Sequence, residues 1–136
     1  MTLPLEGAMV LSTEHDIVMS RQTVRKLTQQ INFSLVDQTK MITAASELSR
    51  NAVVYGGGGE MRWQVVSNGS KTGLRLAFED KGPGIPDLPR VMNGGYSTAR
   101  SMGLGLSGSK RLVDDFAIES KVGEGTRVVV VKWKRF

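Results

Sequence analysis

Gly73-Leu74-Arg75-Leu76-Ala77-Phe78-Glu79-Asp80-Lys81-Gly82-Pro83-Gly84-Ile85-Pro86 is the segment that decides how this chain folds. Its first half alternates as a half-buried strand does, so Leu74, Leu76, Phe78 and Asp80 share one face. A carboxylate at the end of an apolar face is costly to bury and needs partners. The glycines and prolines that follow end the strand and strip side-chain bulk from the backbone. Two readings suit such a place. One is an ordinary strand-to-loop turn with a solvated aspartate. The other is a ligand site, where one fixed acceptor stands in an apolar wall beside a backbone that a flat group can approach closely.

Upstream, Asn68-Gly69-Ser70-Lys71-Thr72-Gly73 is turn chemistry, which pairs Met61–Val66 with the strand ending at Asp80 as an antiparallel hairpin. Before it, Gly56–Gly59 stops a helix expected from about Val36 to Tyr55, with Met41, Ala45, Leu48, Ala52 and Tyr55 as its apolar stripe. Glu47 and Asn51 stand beside that stripe, four residues apart and about 40° from one another around the axis. Such a pair is either plain surface or a holder for a hydrated cation and a hydroxyl. The chain opens with a strand, Gly7–Ser12. Thr13 and Asp16 then form a capping-box pattern, with aspartate in place of glutamate, ahead of a helix from about Glu14 to Ile31. His15 and Asp16 fall in its first turn. A phospho-accepting histidine would need a long dimerisation helix, so His15 reads as a solvated first-turn residue.

Downstream, the pattern fades from Asp87 to Met102, a connection long enough to suggest a lid. Gly103-Leu104-Gly105-Leu106-Ser107-Gly108 is read as leading into a helix carrying Leu112, Val113 and Phe116. Backbone amides at such a start would seat phosphates. No Gly-Lys-Ser/Thr closes it as a Walker loop, and no strand precedes it as a dinucleotide fingerprint requires. The last segment is a hairpin, Ala117–Lys121 with Thr126–Trp133 across Val122–Gly125, and four consecutive valines suggest a central strand. If Thr126 shares a side with Val128 and Val130, Trp133 faces away and needs a cover.

At 136 residues the expectation is a single domain spanning 1–136. There is no run of transmembrane length, and Met1–Glu6 lacks the basic and apolar regions of a signal peptide, so a cytoplasmic protein away from membranes is expected. Cysteine is absent and histidine occurs once, which argues against disulfides and a zinc centre. The net charge of +5 is spread from Arg21 to Arg135, dense only at Lys132-Trp133-Lys134-Arg135. Without a stacking or groove-reading motif beside it, this favours an acidic protein or polyphosphate over nucleic acid.

Glu47 with Asn51, Asp80-x-Gly82-x-Gly84, Gly103-x-Gly105 and Gly125-Thr126, in this order, resemble the GHKL superfamily of ATP-binding domains, which includes gyrase, Hsp90, histidine kinases and MutL. The resemblance implies an α+β fold of the Bergerat type. This is a two-layer α/β sandwich with a mostly antiparallel mixed sheet and helices on one face. A narrower likeness is carried by Asp16-Ile17-Val18, Arg21-Gln22, Ser46–Asn51, Glu79–Asp87 and Lys110–Asp114, which look like the RsbT family of stressosome switch kinases. That likeness implies a serine/threonine protein kinase using ATP and Mg²⁺. Its substrates would be STAS-domain proteins, and its downstream target a phosphatase or signalling protein. It further implies that Asp80 accepts from the adenine amino group and that Gly82 and Gly84 make room for the base. Asn51 would ligate Mg²⁺, Glu47 would activate the attacking hydroxyl, and Gly103, Leu104 and Gly105 would meet the phosphates. Thr126 would support the adenine pocket; Arg100 is a further candidate for the γ-phosphate that no motif position of the family supports. The competing reading is an anti-sigma-factor kinase that sequesters a sigma factor of RNA polymerase.

Overall fold

The computed structural model describes residues 2–92 and 100–135, with the backbone alone at 100–104. In chain order, its elements are β1 (Glu6–Leu11), α1 (Glu14–Gln30), α2 (Leu35–Arg50) with a π-helical turn at Asn51–Tyr55, β2 (Gly59–Asn68) and β3 (Lys71–Asp80). They continue with α3 (Leu88–Met92), α4 (Arg100–Leu112), β4 (Asp115–Lys121) and β5 (Gly125–Trp133). The strands form one five-stranded sheet in the order β1-β2-β3-β5-β4. Every pairing is antiparallel, so the sheet expected to be mostly antiparallel is wholly so.

Alternation along the strands splits the sheet into two unlike faces. Leu11, Met61, Trp63, Leu74, Leu76, Phe78, Val128 and Val130 turn to the helices and are buried against Val24, Leu27, Met41, Leu48 and Leu106. Each such large side chain contributes about 1.5–3 kcal/mol on burial. α1 begins as its sequence suggests: Thr13 and Asp16 form the reciprocal capping box. Asp16 also accepts from the Ser12 and Thr13 amides, and these bonds hold its carboxyl below the ordinary range. Asn32, at φ 62°, ends α1 in the left-handed region that asparagine tolerates.

Three boundaries differ from the sequence reading, each for a physical reason. The stretch from Asp87 to Met102 expected as a lid contains α3 and the start of α4, and its middle, residues 93–99, lies outside the described residues. Gly103–Gly108 lies inside α4 rather than ahead of a helix. Packing overrides a glycine cost of about 1 kcal/mol per residue, since Leu106 and Ser109 are almost wholly buried there. Phe116 belongs to β4, whose alternation points it and Ile118 toward the core.

The four valines do lie on an interior strand, with Val128 and Val130 on the helix side and Val129 and Val131 half-buried on the other. Trp133 does face away from the helices. Its cover comes from its own sheet: it pairs with Gly73, where any Cβ would lie 2.7 Å from the indole. Its backbone N–H donates to Asp114 at 2.7 Å. The basic run at the C-terminal end is not a charged patch. Lys132 is 4% exposed, donates to the Leu112 carbonyl at 3.1 Å and stands 3.6 Å from the buried Asp37, while Arg135 pairs with Asp114. Among the described residues no helix is long and apolar enough to cross a membrane.

Candidate active site

A cavity of about 240 Å³ opens where the end of α2 meets the ends of β3 and β5. Its walls are apolar, including Leu48, Ala52, Phe78, Ile85, Leu106 and Val128, with Asn51, Asp80 and Thr126 as polar points. The volume is below that of a typical drug-sized pocket and suits one flat ring system better than a whole nucleotide. A broader groove of about 670 Å³ crosses the strand ends and also touches Asp80 and Thr126. It is shallower and lined largely by charged side chains, so its greater size is open surface.

Strand pairing builds the polar end of the cavity. Asp80 is the direct cross-strand partner of Thr126, so the two are neighbours by register. The Gly82 amide donates to Asp80 Oδ1 at 3.0 Å. Burial pushes the Asp80 carboxyl above its ordinary range, against the opposing pull of the Gly82 and Thr126 amides. Two backbone donors do not exhaust the lone pairs of a carboxylate, so acceptor capacity remains for a ligand.

Space beside Asp80 comes from glycine. A Cβ at Gly56, which follows the π-helical turn, would land on the Asp80 carboxylate, and a Cβ at Gly82 would strike the Gly56 backbone. Gly84 has φ 76°, and a Cβ there would strike the Lys121 carbonyl. The Pro83 carbonyl accepts from Gly123 at 2.8 Å, which fastens this loop to the β4–β5 turn.

The other end of the cavity belongs to α2 and α4. The π-helical turn begins at Asn51, closed by Gly56 N–H donating to the Asn51 carbonyl at 3.0 Å. The Asn51 Nδ2 is buried and has no hydrogen-bond partner among the described residues. An orphaned buried amide costs about 1–3 kcal/mol and is often explained by a missing ligand. Gly105 of α4 lies directly over this amide and over Glu47. A Cβ built there falls 2.9 Å from Glu47 Oε2 and 3.6 Å from Asn51 Nδ2.

The structure therefore brings Asn51, Asp80, Gly84 and Thr126 around one cavity, with Glu47 and Gly105 beside Asn51 just outside its lining and Gly82 braced behind Asp80. Gly103 and Leu104 are known only as backbone within α4, and the side chain of Arg100 lies outside the described residues. The expected presentation of free amides at a helix start changes for Gly105. It stands in the second turn of α4 as described, where its N–H serves the helix ladder. What it offers instead is close approach. Sequence reasoning passed over Gly56, Leu106, Ile85 and Ser120. Ser120 was accessible from hairpin register, because it stands opposite Thr126.

Among the described residues no cluster of three or more His, Cys, Asp or Glu could hold a metal unaided. A magnesium ion would rest on Asn51 together with oxygen atoms of a bound phosphate, as that ion commonly does. Asn51 would give its Oδ1 to such a shared site, while its orphaned Nδ2 would suit a phosphate oxygen.

Residues 36–135 match the family model described as histidine kinase-, DNA gyrase B-, and HSP90-like ATPase, and the chain belongs to that family. Its fold is thus that of an ATP-binding α+β domain. Within the family the chain is 45% identical over 125 residues to the serine/threonine-protein kinase RsbT of Bacillus subtilis, covering 92% of this chain and 94% of that protein. Its place is with the serine/threonine-protein kinases of the RsbT type. It is 27% identical over 118 residues to the anti-sigma F factor of Geobacillus kaustophilus, covering 83% of this chain and 81% of the relative. The crystal structure of the RsbU and RsbW domains of a Mycobacterium tuberculosis protein superposes with a TM-score of 0.68 at 20% identity. That match covers 98% of this chain and 34% of the longer one, and it supports the fold alone.

Proposed function

We propose that this chain transfers the γ-phosphoryl group of Mg-ATP to a serine or threonine of a STAS-domain protein, then exchanges that partner for a downstream phosphatase or signalling protein. One observation carries the site reading. A buried Asn51 amide, unpartnered among the described residues, stands beside the Glu47 carboxylate, in the cavity whose far end holds Asp80. In this reading Asp80 accepts from the adenine amino group, Gly84 leaves room for the base, and Thr126 supports its edge. Asn51 holds the magnesium ion, which spreads the phosphate charge when bound. Glu47 orients the acceptor hydroxyl and takes its proton. Gly103, Leu104 and Gly105 lie along the phosphates, with Arg100 as a candidate γ-phosphate contact. The setting proposed is cytoplasmic, with the domain working as one unit of 136 residues.

The acceptor is expected to be acidic, since the chain carries a net charge of +5. Its phosphorylation places about two negative charges at the interface, and the complex then weakens. The test mixes the protein with a STAS partner and labelled Mg-ATP, and follows phosphate incorporation beside gel filtration. Incorporation with release of the partner supports the proposal. A complex unchanged on a fully phosphorylated partner refutes the switch, and tight binding to a sigma factor with no STAS complex moves the chain to the anti-sigma reading.

A further inference from the structure

Ser120 has no place in the reading above, yet it connects three parts of the base-binding end. Its Oγ accepts from the Ile85 amide at 2.8 Å, which ties the loop after Asp80 to β4. The same oxygen lies 2.8 Å from Thr126 Oγ1, with either hydroxyl able to donate. The Gly125 carbonyl is a second possible acceptor for the Ser120 proton, at 3.2 Å.

A serine hydroxyl has one proton, so two arrangements are open to this pair. In the first, Ser120 donates to Thr126, and the Thr126 proton is free to point into the cavity. In the second, Thr126 donates to Ser120, whose proton turns to Gly125, and Thr126 shows the cavity only lone pairs. The arrangements present opposite characters to a ligand edge beside Asp80. Asp80 is a fixed acceptor and selects a donor, such as an exocyclic amino group. On an aminopurine the neighbouring ring nitrogen is an acceptor, and it is matched by the first arrangement. An oxopurine edge has the reverse pattern, a carbonyl beside a ring N–H.

We propose that Ser120 is a specificity-determining positioning residue: by holding Ile85 and supplying a proton to Thr126, it makes the cavity read a purine amino group beside an unprotonated ring nitrogen. This rests on the assignment of Asp80 and Thr126 to the adenine pocket. Ser120 itself acts through Thr126 and the loop. Its hydroxyl serves two partners at once, so losing it frees the Thr126 rotor and orphans the Ile85 amide together.

Ser120→Val and Ser120→Thr have the same shape and differ by the hydroxyl, with Ser120→Ala as a smaller alternative should the extra methyl disturb folding. Binding of ATP and of inosine triphosphate, whose base is an oxopurine, is measured by calorimetry for each folded variant and for Asp80→Asn. The expected result is that Ser120→Val, or Ser120→Ala, lowers the preference for ATP over inosine triphosphate by about tenfold, the equivalent of one hydrogen bond. Ser120→Thr should restore the preference. Equal weakening of both nucleotides, with their ratio unmoved, overturns the proposal, because it assigns Ser120 a general packing role. If Asp80→Asn weakens ATP while Ser120→Val keeps the wild-type ratio, this proposal alone falls. If Asp80→Asn leaves ATP affinity unchanged, the adenine assignment falls and takes the proposal with it.

Discussion

Replacing Asp80 by asparagine changes one oxygen to a nitrogen and tests the base-binding end at nearly constant shape. In the native site Oδ1 accepts from the Gly82 amide at 3.0 Å. An asparagine can keep that bond, but its Nδ2 then faces the incoming amino group, donor against donor. If it flips, its oxygen serves the ligand and its Nδ2 opposes the Gly82 N–H. Either orientation forfeits one bond to a charged acceptor and leaves a donor unmatched, at a cost of about 2–3 kcal/mol. ATP affinity should fall by roughly 30- to 150-fold.

The fold should not suffer. Burial raises the Asp80 carboxyl above its ordinary pKa, so its proton is bound more tightly in the folded state than in the unfolded chain. Its favourable contribution is therefore present at low pH and is lost as pH rises from the ordinary aspartate range through the raised value. At neutral pH the ionised group is a burden, and Asp80→Asn should unfold at the wild-type temperature or slightly above it. ATP binding runs the other way: it needs the ionised acceptor, so wild-type affinity should decline as pH falls through that same window. Calorimetric titration with ATP, alongside a thermal melt of the ligand-free protein, measures both effects. Wild-type affinity in a folded Asp80→Asn protein would refute the reasoning and remove Asp80 from the site.

Glu47→Ala should keep Mg-ATP affinity within a few-fold and lower phosphoryl transfer by roughly 10²–10⁴, measured by single-turnover incorporation of label. Parallel loss of affinity would mark Glu47 as a structural or metal-holding residue. Gly105→Ala should push the Glu47 carboxylate aside, because its Cβ would fall 2.9 Å from Oε2. Transfer should drop by about 10²-fold while the thermal midpoint holds or rises, since alanine is the better helix former by about 1 kcal/mol. Unchanged transfer would show that Glu47 has room to relocate harmlessly. Lys132→Ala leaves Asp37 buried without its ion pair and the Leu112 carbonyl without its donor. It should cost about 3–5 kcal/mol in urea unfolding, and a loss under about 1 kcal/mol would show that the pair behaves as a surface one.

The elements legible in the sequence were those written in local patterns. The alternation ending at Asp80, the capping box at Thr13 and the stripe through Met41 and Leu48 each arise from a period or a short-range bond. The hairpin turns at Gly69 and Gly123 fall where glycine takes positive φ. What local patterns could not show was set by tertiary contact. Three glycines within six residues speak against a helix interior, yet α4 is held there by Leu106 in the core and by close approach to Glu47. The π-helical turn at Asn51 is equally silent in the sequence, because its stripe continues through Ala52 to Tyr55 as an α-helix would. Residue adjacency across strands was recoverable only from register. That is why Thr126 came by resemblance and Ser120 was missed.

The distribution of charge decides which side of the domain an acidic acceptor would meet. Composition counts every basic residue alike, but the structure withdraws several from duty. Lys132 is buried, and Arg62, Arg127 and Arg135 each pair with a neighbouring carboxylate. The helical layer keeps Arg21, Arg25, Lys26, Lys40 and Arg50 exposed, against Glu14 as its fully exposed acidic residue on α1 and α2. On the sheet side the exposed carboxylates Glu6, Glu119 and Glu124 stand among exposed Lys71, Lys81, Lys121 and Lys134, and Glu79 is paired with Arg127. A field of this shape draws an acidic partner to the helices, while the sheet side, with both signs interspersed, offers no comparable pull. Glu47 lies on α2 within that layer, so steering by charge and access to the proposed base favour the same side. The end of the cavity proposed for phosphoryl transfer and the basic helical face are both built on α2.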